Sequence, residues 1–146
     1  MDLYILGHMG LGFLSAYALK RFYKLDFFVP LVWFCSVLPD FDVFIPFVCH
    51  RGPTHSVVVP LVLVPVFLVW FRRGLPYLVA FLSHSVVDVF TGYGGSASGM
   101  YLWPLSSRKF DLGFSLDMQS PVEFWLELGL FGLMVLVIFL ERRRRT

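Results

Sequence analysis

His84 and Asp88 are the residues of this chain whose types and spacing point most directly to chemistry. They lie four residues apart in an otherwise apolar stretch, Leu75 to Thr91, and residues four apart share one face of an α-helix, with Thr91 about one turn further on. Ionisable groups at membrane depth usually face the interior of a bundle and have a partner there. The pair therefore indicates either a metal site or a His–Asp hydrogen bond that joins helices.

The composition indicates the class of protein that must position this pair. Of the 146 residues, 58% are hydrophobic and 15% are charged, against about 45–50% and 25% in soluble domains. We predict an all-α fold: a single domain, residues 1–146, forming an integral membrane bundle of about five helices. Each apolar segment approaches the roughly 17–25 residues of a membrane span. The segments are Leu3–Leu19, Phe27–Val48, Pro53–Phe71, Leu75–Thr91 and Val122–Leu140.

The first segment and the basic residues indicate the topology. The first segment lacks a basic region before it and a small-residue cleavage site, so we expect a span rather than a signal peptide. Basic residues divide nine to three between the two sides of the predicted bundle, which favours a multi-pass cell-membrane protein with its N-terminus outside and its C-terminus cytoplasmic. The nine are Lys20, Arg21, Lys24, Arg72, Arg73 and Arg142–Arg145; the three are Arg51, Arg108 and Lys109. The net charge of +2 gives no indication of a nucleic-acid partner.

The polar residues within the spans fall at similar depths. Asp40 and Asp88 each lie 13 residues from the cytoplasmic start of their segment, about 20 Å along a helix. His8 lies about 8 Å from the outer surface, and His55 is close to the outer start of its segment. Because consecutive spans run in opposite directions, unrelated polar residues would scatter to both sides. Their convergence predicts one site in the outer half of the bundle.

Two motifs supply further candidates. In Leu38-Pro39-Asp40-Phe41-Asp42, proline disfavours helix at Leu38, and in an extended stretch Asp40 and Asp42 would point to the same side. In the segment His50-Arg51-Gly52-Pro53-Thr54-His55-Ser56, Pro53 suits the first turn of the third span. Free backbone N–H groups beside Arg51 would then favour an anion such as phosphate.

The segment from Gly92 to Gln119 is the one long connection of the chain. It begins with small residues and continues with aromatic ones, including Tyr101 and Trp103, which suit the headgroup region of a membrane. Long loops are often functional covers, so we predict an outer interfacial lid. Cys35 and Cys49 are separated in predicted depth and indicate no redox chemistry.

These motifs together resemble the YdjM-like membrane-bound, metal-dependent hydrolases over roughly residues 1–110. The resemblance is carried by His8, the Leu38–Asp42 motif, the His50–Ser56 motif, the His84–Thr91 motif and Trp103-Pro104-Leu105-Ser106. It implies a small helical membrane protein with hydrolase activity and His and Asp metal ligands. The matched positions are His8, Asp40, Asp42, His50, Arg51, Thr54, His55, His84, Asp88 and Thr91. The glycine-rich and serine-rich insertion after Thr91 departs from the pattern.

We therefore predict a hydrolase that uses a divalent metal, zinc first among the candidates, to activate water against a phosphoester of a membrane lipid or lipid-linked phosphate. Manganese and iron suit the same donors. The predicted metal ligands are His8, Asp40, His55, His84 and Asp88. The predicted catalytic residues are His50 as general acid or base, Arg51 as phosphate clamp and Asp42. The alternatives are a metal carrier, which needs polar residues on a route to the cytoplasm, and a scaffold in which the cluster only joins helices.

Overall fold

Five α-helices make up most of the structure, a computed structural model that describes residues 4–92, 98–112, 116–117 and 120–144. The helices are α1 (Tyr4–Tyr23), α2 (Val29–Val37), α3 (Val58–Val69), α4 (Leu75–Asp88) and α5 (Pro121–Arg143). Short 3₁₀ helices occupy Leu38–Phe44, Pro53–His55 and Arg72–Gly74. Two short strands, β1 (Thr91–Gly92) and β2 (Leu116–Asp117), pair in parallel with Thr91 opposite Leu116. The predicted all-α architecture is confirmed apart from this strand pair.

Helix α1 is the centre of the bundle, because it packs against α2, α4 and α5. The core where these helices meet is apolar and consists of Phe13, Ala16, Val32, Ala80 and Met134. Helix α3 lies to one side and contacts mainly α4. The two alanines of this core, Ala16 and Ala80, are small enough for the helices to approach closely around α1.

The five complete membrane spans of the prediction are not confirmed. Within the described part of the chain, α5 is the one helix both long and apolar enough to cross a membrane; its 23 residues extend about 35 Å. Helix α1 has 20 residues but carries His8, Lys20 and Arg21. Helices α2, α3 and α4 have 9, 12 and 14 residues, too few to cross a hydrocarbon core about 30 Å thick on their own.

The second and third predicted segments are shorter because the chain leaves the α-helix where these two segments approach the polar cluster. The second segment changes at Leu38 to a 3₁₀ helix, although Leu38 itself keeps helical backbone angles, contrary to our prediction. The third begins as an isolated 3₁₀ turn, and α3 starts only at Val58, where the hydroxyl of Ser56 accepts the N–H of Val58 at 3.1 Å. Such breaks at membrane depth are stable when surrounded by protein.

The two ends of the bundle differ in chemistry. The polar cluster lies where α1 begins and α4 ends, whereas the basic residues collect where α1 and α5 end. There the hydroxyl of Tyr17 donates to Glu141 at 2.7 Å, and the Arg72 guanidinium lies 5.7 Å from the centre of the Tyr23 ring. The segregation expected from the sequence is present, and the orientation in the membrane stays a prediction.

The glycine at position 12 allows α1 to approach α2 and α4. A Cβ atom there would collide with the Cβ of Ser36 and lie 3.5 Å from that of Ala80. We expect Gly12→Ala to destabilise the detergent-solubilised protein by about 1–3 kcal/mol, the usual effect of overpacking, as measured by thermal or denaturant unfolding.

Gly129→Ala is the matched control, because a Cβ at Gly129 meets no described atom within 4 Å. Within α5 this change should be neutral or stabilising by about 0.5–1 kcal/mol. Equal stability of the two variants would contradict the close packing at Gly12.

Candidate metal centre

Four side chains converge at the polar end of the bundle. The Nε2 atom of His55 lies 3.1 Å from Asp88 Oδ2 and 3.4 Å from Asp40 Oδ1. The Nε2 atom of His84 lies 3.4 Å and 3.3 Å from the same two oxygens. All four ligand atoms lie within 4.8 Å of one another. His55, His84 and Asp88 are buried, whereas the side chain of Asp40 is 33% exposed, so the site meets solvent on the Asp40 side.

Hydrogen bonds determine which nitrogen of His84 faces the centre. Its Nδ1 lies 2.7 Å from the backbone carbonyl oxygen of Ser36. A carbonyl can only accept, so Nδ1 carries the proton and donates, and in neutral imidazole Nε2 is then a free acceptor. Neither Nε2 of His84 nor Oδ2 of Asp88 has a hydrogen-bond partner among the described residues.

His55 is oriented in the same way. Its Nδ1 lies 3.1 Å from the hydroxyl oxygen of Thr54 and 3.3 Å from Asp42 Oδ2. Because the Thr54 hydroxyl donates its own proton to Asp42 at 2.7 Å, Thr54 accepts from His55 Nδ1, and the nearby Asp42 carboxylate stabilises the proton on that nitrogen. The His55 Nε2 lone pair therefore points to the centre. A carboxylate that holds the far nitrogen of an imidazole is the usual outer partner of a metal-binding histidine.

The chemistry of this donor set fits a divalent metal. Two imidazole lone pairs and two carboxylate oxygens, placed together with no proton assigned between them, repel one another unless a cation lies among them. A tetrahedral ion with bonds of about 2.0–2.1 Å has ligand–ligand separations of about 3.3–3.4 Å, and an octahedral one has separations of about 3.0 Å. The four distances above lie between these two values, at 3.1–3.4 Å.

The local structure of two elements positions the ligands. His84 and Asp88 lie one turn apart at the end of α4, as predicted. Asp40 and Asp42 do not point to the same side, however, because their segment is a 3₁₀ helix, in which residues two apart differ by about 240°. Asp40 approaches Nε2 of His55, whereas Asp42 approaches Nδ1 of the same ring. The prediction of paired carboxylates in an extended stretch was wrong.

Asp42 holds a second histidine besides His55. Its Oδ1 lies 2.9 Å from Nδ1 of His50. Asp42 is buried, while the side chain of His50 is 47% exposed. The sequence placed Asp42 and His50 in catalytic roles, and the structure joins them as a buried acid that orients an accessible imidazole. Asp42, His50 and His55 also form a second set of possible metal ligands, but there His55 would have to use the nitrogen that donates to Thr54.

Arg51 has different surroundings from those predicted. No long helix begins at Pro53, so the expected anion site at a helix N-terminus is absent from this part of the described chain. The guanidinium is buried, and Nη1 donates to the carbonyl of Thr91 at 2.9 Å, beyond the end of α4. Nη2 lies 3.6 Å from Asp88 Oδ1. Arg51 is therefore placed to hold the end of α4 and the Asp88 carboxylate, and its role as phosphate clamp stays a prediction.

Part of the predicted lid lies outside the described residues, namely 93–97, 113–115 and 118–119. The described part packs on the site: the N–H of Met100 donates to the Arg51 carbonyl at 2.9 Å, and the hydroxyl of Ser56 donates to the carbonyl of Trp103. Tyr101 is buried, and its hydroxyl donates to the backbone carbonyl of Asp88 at 2.6 Å; its position at the headgroup level stays a prediction. Burial raises the pKa of Tyr101, which keeps this donor protonated.

The remaining predicted residues lie around the centre. His8 stacks on His84 with ring centroids 3.8 Å apart, and its Nε2 lies 3.6 Å from Asp88 Oδ1. It is a neighbour of the four-atom group and not a member of it. Cys35 and Cys49 are both free thiols. The sequence did not single out Ser36, whose contribution is a backbone carbonyl and so carries no signal in residue type.

Comparison with known proteins identifies the family. The YdjM inner membrane proteins match residues 1–145. The inner membrane protein YbcI of Escherichia coli (strain K12) is 44% identical over 81 residues, which cover 49% of this chain and 46% of YbcI. The chain thus spans about half the length of the curated relative it matches. No solved structure matches it. Because the family match covers residues 1–145, nearly the full length, the chain belongs to the YdjM family of inner membrane proteins.

Proposed function

We propose that this protein is a membrane-bound, metal-dependent hydrolase that cleaves a phosphoester of a lipid or lipid-linked substrate at the outer face of the membrane. The observation that carries the proposal is the convergence of Asp40, His55, His84 and Asp88 on one point. We take these four as the metal ligands and zinc as the first candidate, since imidazole with carboxylate suits zinc, manganese and iron. His8 supports the site through its contact with Asp88.

A divalent metal held by these residues would lower the pKa of a water molecule and stabilise negative charge on a phosphoryl oxygen. The chain's own residues supply the rest. Thr54, itself held by Asp42, accepts from the outer nitrogen of His55, and Ser36 accepts from that of His84, so both Nε2 lone pairs stay directed inward. Arg51 and Tyr101 hold the carboxylate and the backbone of Asp88 in place. Three of the four ligands, His55, His84 and Asp88, therefore have an outer partner that restricts their movement.

His50 is our candidate for proton transfer. Asp42 lies 2.9 Å from its Nδ1, which leaves Nε2 available to take a proton from the attacking water or to give one to the leaving oxygen. Its exposed ring lies beside the buried ligand His55, with the ring centroids 5.3 Å apart. This combination of access to solvent and a fixed orientation is what a general acid or base requires.

The surface around the opening of the site supports a lipid substrate. The 3₁₀ helix that carries Asp40 also presents Phe41, Val43 and Phe44 outward, all of them exposed, and Phe47 follows. Large apolar side chains grouped in this way favour contact with a membrane or another apolar surface. We place this end at the outer face because the basic residues collect at the other end.

A metal carrier has less support. It would need polar groups continuing toward the basic end of the bundle. The core in that direction consists of Phe13, Ala16, Val32, Ala80 and Met134, which offer no ligand for a charged ion apart from the sulfur of Met134.

Metal analysis followed by a substrate screen tests the proposal. We expect the purified full-length protein to hold about one equivalent of a divalent metal and to release phosphate or a phosphorylated headgroup from a phospholipid or a chromogenic phosphoester. Removal of the metal by a chelator should abolish turnover, and adding it back should restore turnover. Two equivalents would indicate that the Asp42, His50 and His55 set is also occupied. A native, fully folded protein with no metal affinity would contradict the proposal.

A further inference from the structure

A cavity lies directly beside the candidate metal centre, between α1, α4 and α5. Its volume is about 260 Å³, and His8, Glu123 and Glu127 supply polar atoms to its wall. Two of its apolar lining residues, Phe90 and Leu126, are 44% and 48% exposed. The cavity therefore opens at the surface of the bundle between α4 and α5, and it ends at His8.

Three polar atoms in the wall of this cavity can accept a hydrogen bond and receive none from the described residues. Glu123 Oε2, Glu127 Oε2 and His8 Nδ1 lack partners among the described residues, and all three residues are more than nine-tenths buried. The Nε2 atom of His8 faces the Asp88 carboxylate at 3.6 Å, and in the neutral tautomer that carries its proton on Nε2 the Nδ1 atom is an acceptor. The hydroxyl of Thr91, in the same wall, donates to the Val87 carbonyl at 3.2 Å. The described lining thus offers acceptors and no free donor.

A cation would stabilise the two glutamates of this cavity, and the described lining does not supply one. Glu123 and Glu127 are four residues apart on α5, so their carboxylates are neighbours with like charge. The backbone N–H of Gly7 donates to Glu127, but one oxygen of each carboxylate is buried without a partner among the described residues, which is costly. The described lining contains no lysine or arginine. Gly7 lies so close to Glu127 that a Cβ atom there would be 2.9 Å from Glu127 Cγ. The absence of a side chain at Gly7 therefore leaves room for the Glu127 carboxylate in the cavity wall.

The missing cation is better matched by an amine than by a metal ion. The described His, Asp and Glu groups close enough to bind a metal do not include Glu123 or Glu127. A primary ammonium group has three N–H donors and no acceptor, which complements a wall of acceptors. The apolar part of the wall, with Leu126 and Leu130, suits the hydrocarbon next to such a group.

We propose that this cavity binds the primary ammonium headgroup of an aminophospholipid, with Glu123 and Glu127 as its counter-charges and His8 as an additional acceptor. The assignment of this lipid as the substrate rests on the proposed function, because His8 lines the cavity and also contacts Asp88 of the metal centre. The binding of the headgroup in the cavity does not rest on the proposed function. The substrate class would then be phospholipids whose phosphate carries an ethanolamine-type amine.

The test measures lipid bound to the full-length protein in mixed micelles. Phosphatidylethanolamine, phosphatidylcholine and phosphatidylglycerol with identical acyl chains are supplied in equal amounts, and the retained lipid is quantified by mass spectrometry. We expect at least about tenfold preference for phosphatidylethanolamine, the effect of about one charge-assisted hydrogen bond, since the quaternary amine of phosphatidylcholine has no N–H. Glu123→Gln and Glu127→Gln should each reduce this preference severalfold.

Glu141→Gln is the matched control, because Glu141 lies on the same helix at the opposite end. It should leave the preference unchanged, and the thermal unfolding of all variants is compared to detect a general loss of fold. Equal binding of the three lipids, or full preference in a Glu123→Gln, Glu127→Gln double variant, would overturn the proposal. Displacement of the lipid by an equal concentration of soluble glycerophosphoethanolamine would overturn the assignment of a lipid ligand, since a soluble ethanolamine headgroup would then bind the cavity as well as the lipid does.

The same measurement on chelator-treated protein separates this inference from the proposed function. Headgroup preference that persists without metal, in a protein that hydrolyses nothing even after metal is added back, would support the cavity and contradict the hydrolase. Hydrolysis without headgroup preference would support the hydrolase and contradict headgroup binding in the cavity.

Discussion

Replacement of Asp88 by asparagine should remove bound metal and hydrolysis together. The amide keeps the size of the carboxylate and one acceptor oxygen but lacks the charge that faces both Nε2 atoms. Outer partners of metal ligands already contribute roughly 10–100-fold to metal affinity, so loss of a charged ligand should lower affinity by at least about 100-fold. Metal titration of the purified variant and its turnover under the same conditions measure the two effects.

Asp26→Asn is the control for this substitution. Asp26 is 90% exposed and pairs with Lys20 at 3.1 Å, at the basic end of α1, so its variant should retain metal and activity. If Asp88→Asn keeps wild-type metal affinity and turnover, the cluster serves only to join helices, and the proposed function is wrong.

Replacement of His50 by glutamine should abolish most turnover while leaving bound metal nearly unchanged. General acid–base catalysis contributes about 10²–10⁴-fold, and glutamine cannot transfer a proton. The side chain of His50 is half exposed and is not one of the four converging ligands, so the metal should stay. The kcat of the variant and its metal content, measured on one preparation, give the comparison.

His55→Gln is the contrasting variant, because it removes a converging nitrogen and should release the metal. Retention of full kcat by His50→Gln would assign proton transfer to another group. Loss of metal from His50→Gln would show that the set of Asp42, His50 and His55 binds a metal of its own.

The sequence predicted the ligands that depend on local geometry. His84 and Asp88 lie one turn apart on α4, a relation that follows from helical periodicity alone. The prediction that the polar residues gather at one end of the bundle came from their similar depths in segments that run in alternating directions. The capping of α5, where the Ser120 hydroxyl accepts the N–H of Glu123 at 3.2 Å, is likewise a property of adjacent residues.

The lengths of the helices and the roles of several residues were not predictable in this way. Hydropathy does not distinguish an α-helix from a 3₁₀ helix or a buried turn, so Leu38–Phe44 and Pro53–His55 were taken as parts of longer spans. Because the first is a 3₁₀ helix, Asp40 and Asp42 lie on opposite sides of His55, one at each ring nitrogen. The partners of Arg51 and Tyr101 are backbone atoms at the end of α4, and backbone carbonyls carry no signature in the sequence.

The sequence by itself therefore determined the membrane class, the helical fold and the residue types at the candidate centre. Only the tertiary structure decided which nitrogen of each histidine faces inward and that Glu123 and Glu127 share a cavity with His8. The physical reason is that periodicity relates residues within about one turn of a helix, whereas these relations join α1, α4, α5 and the Leu38–Phe44 segment, whose relative positions depend on how the whole bundle packs.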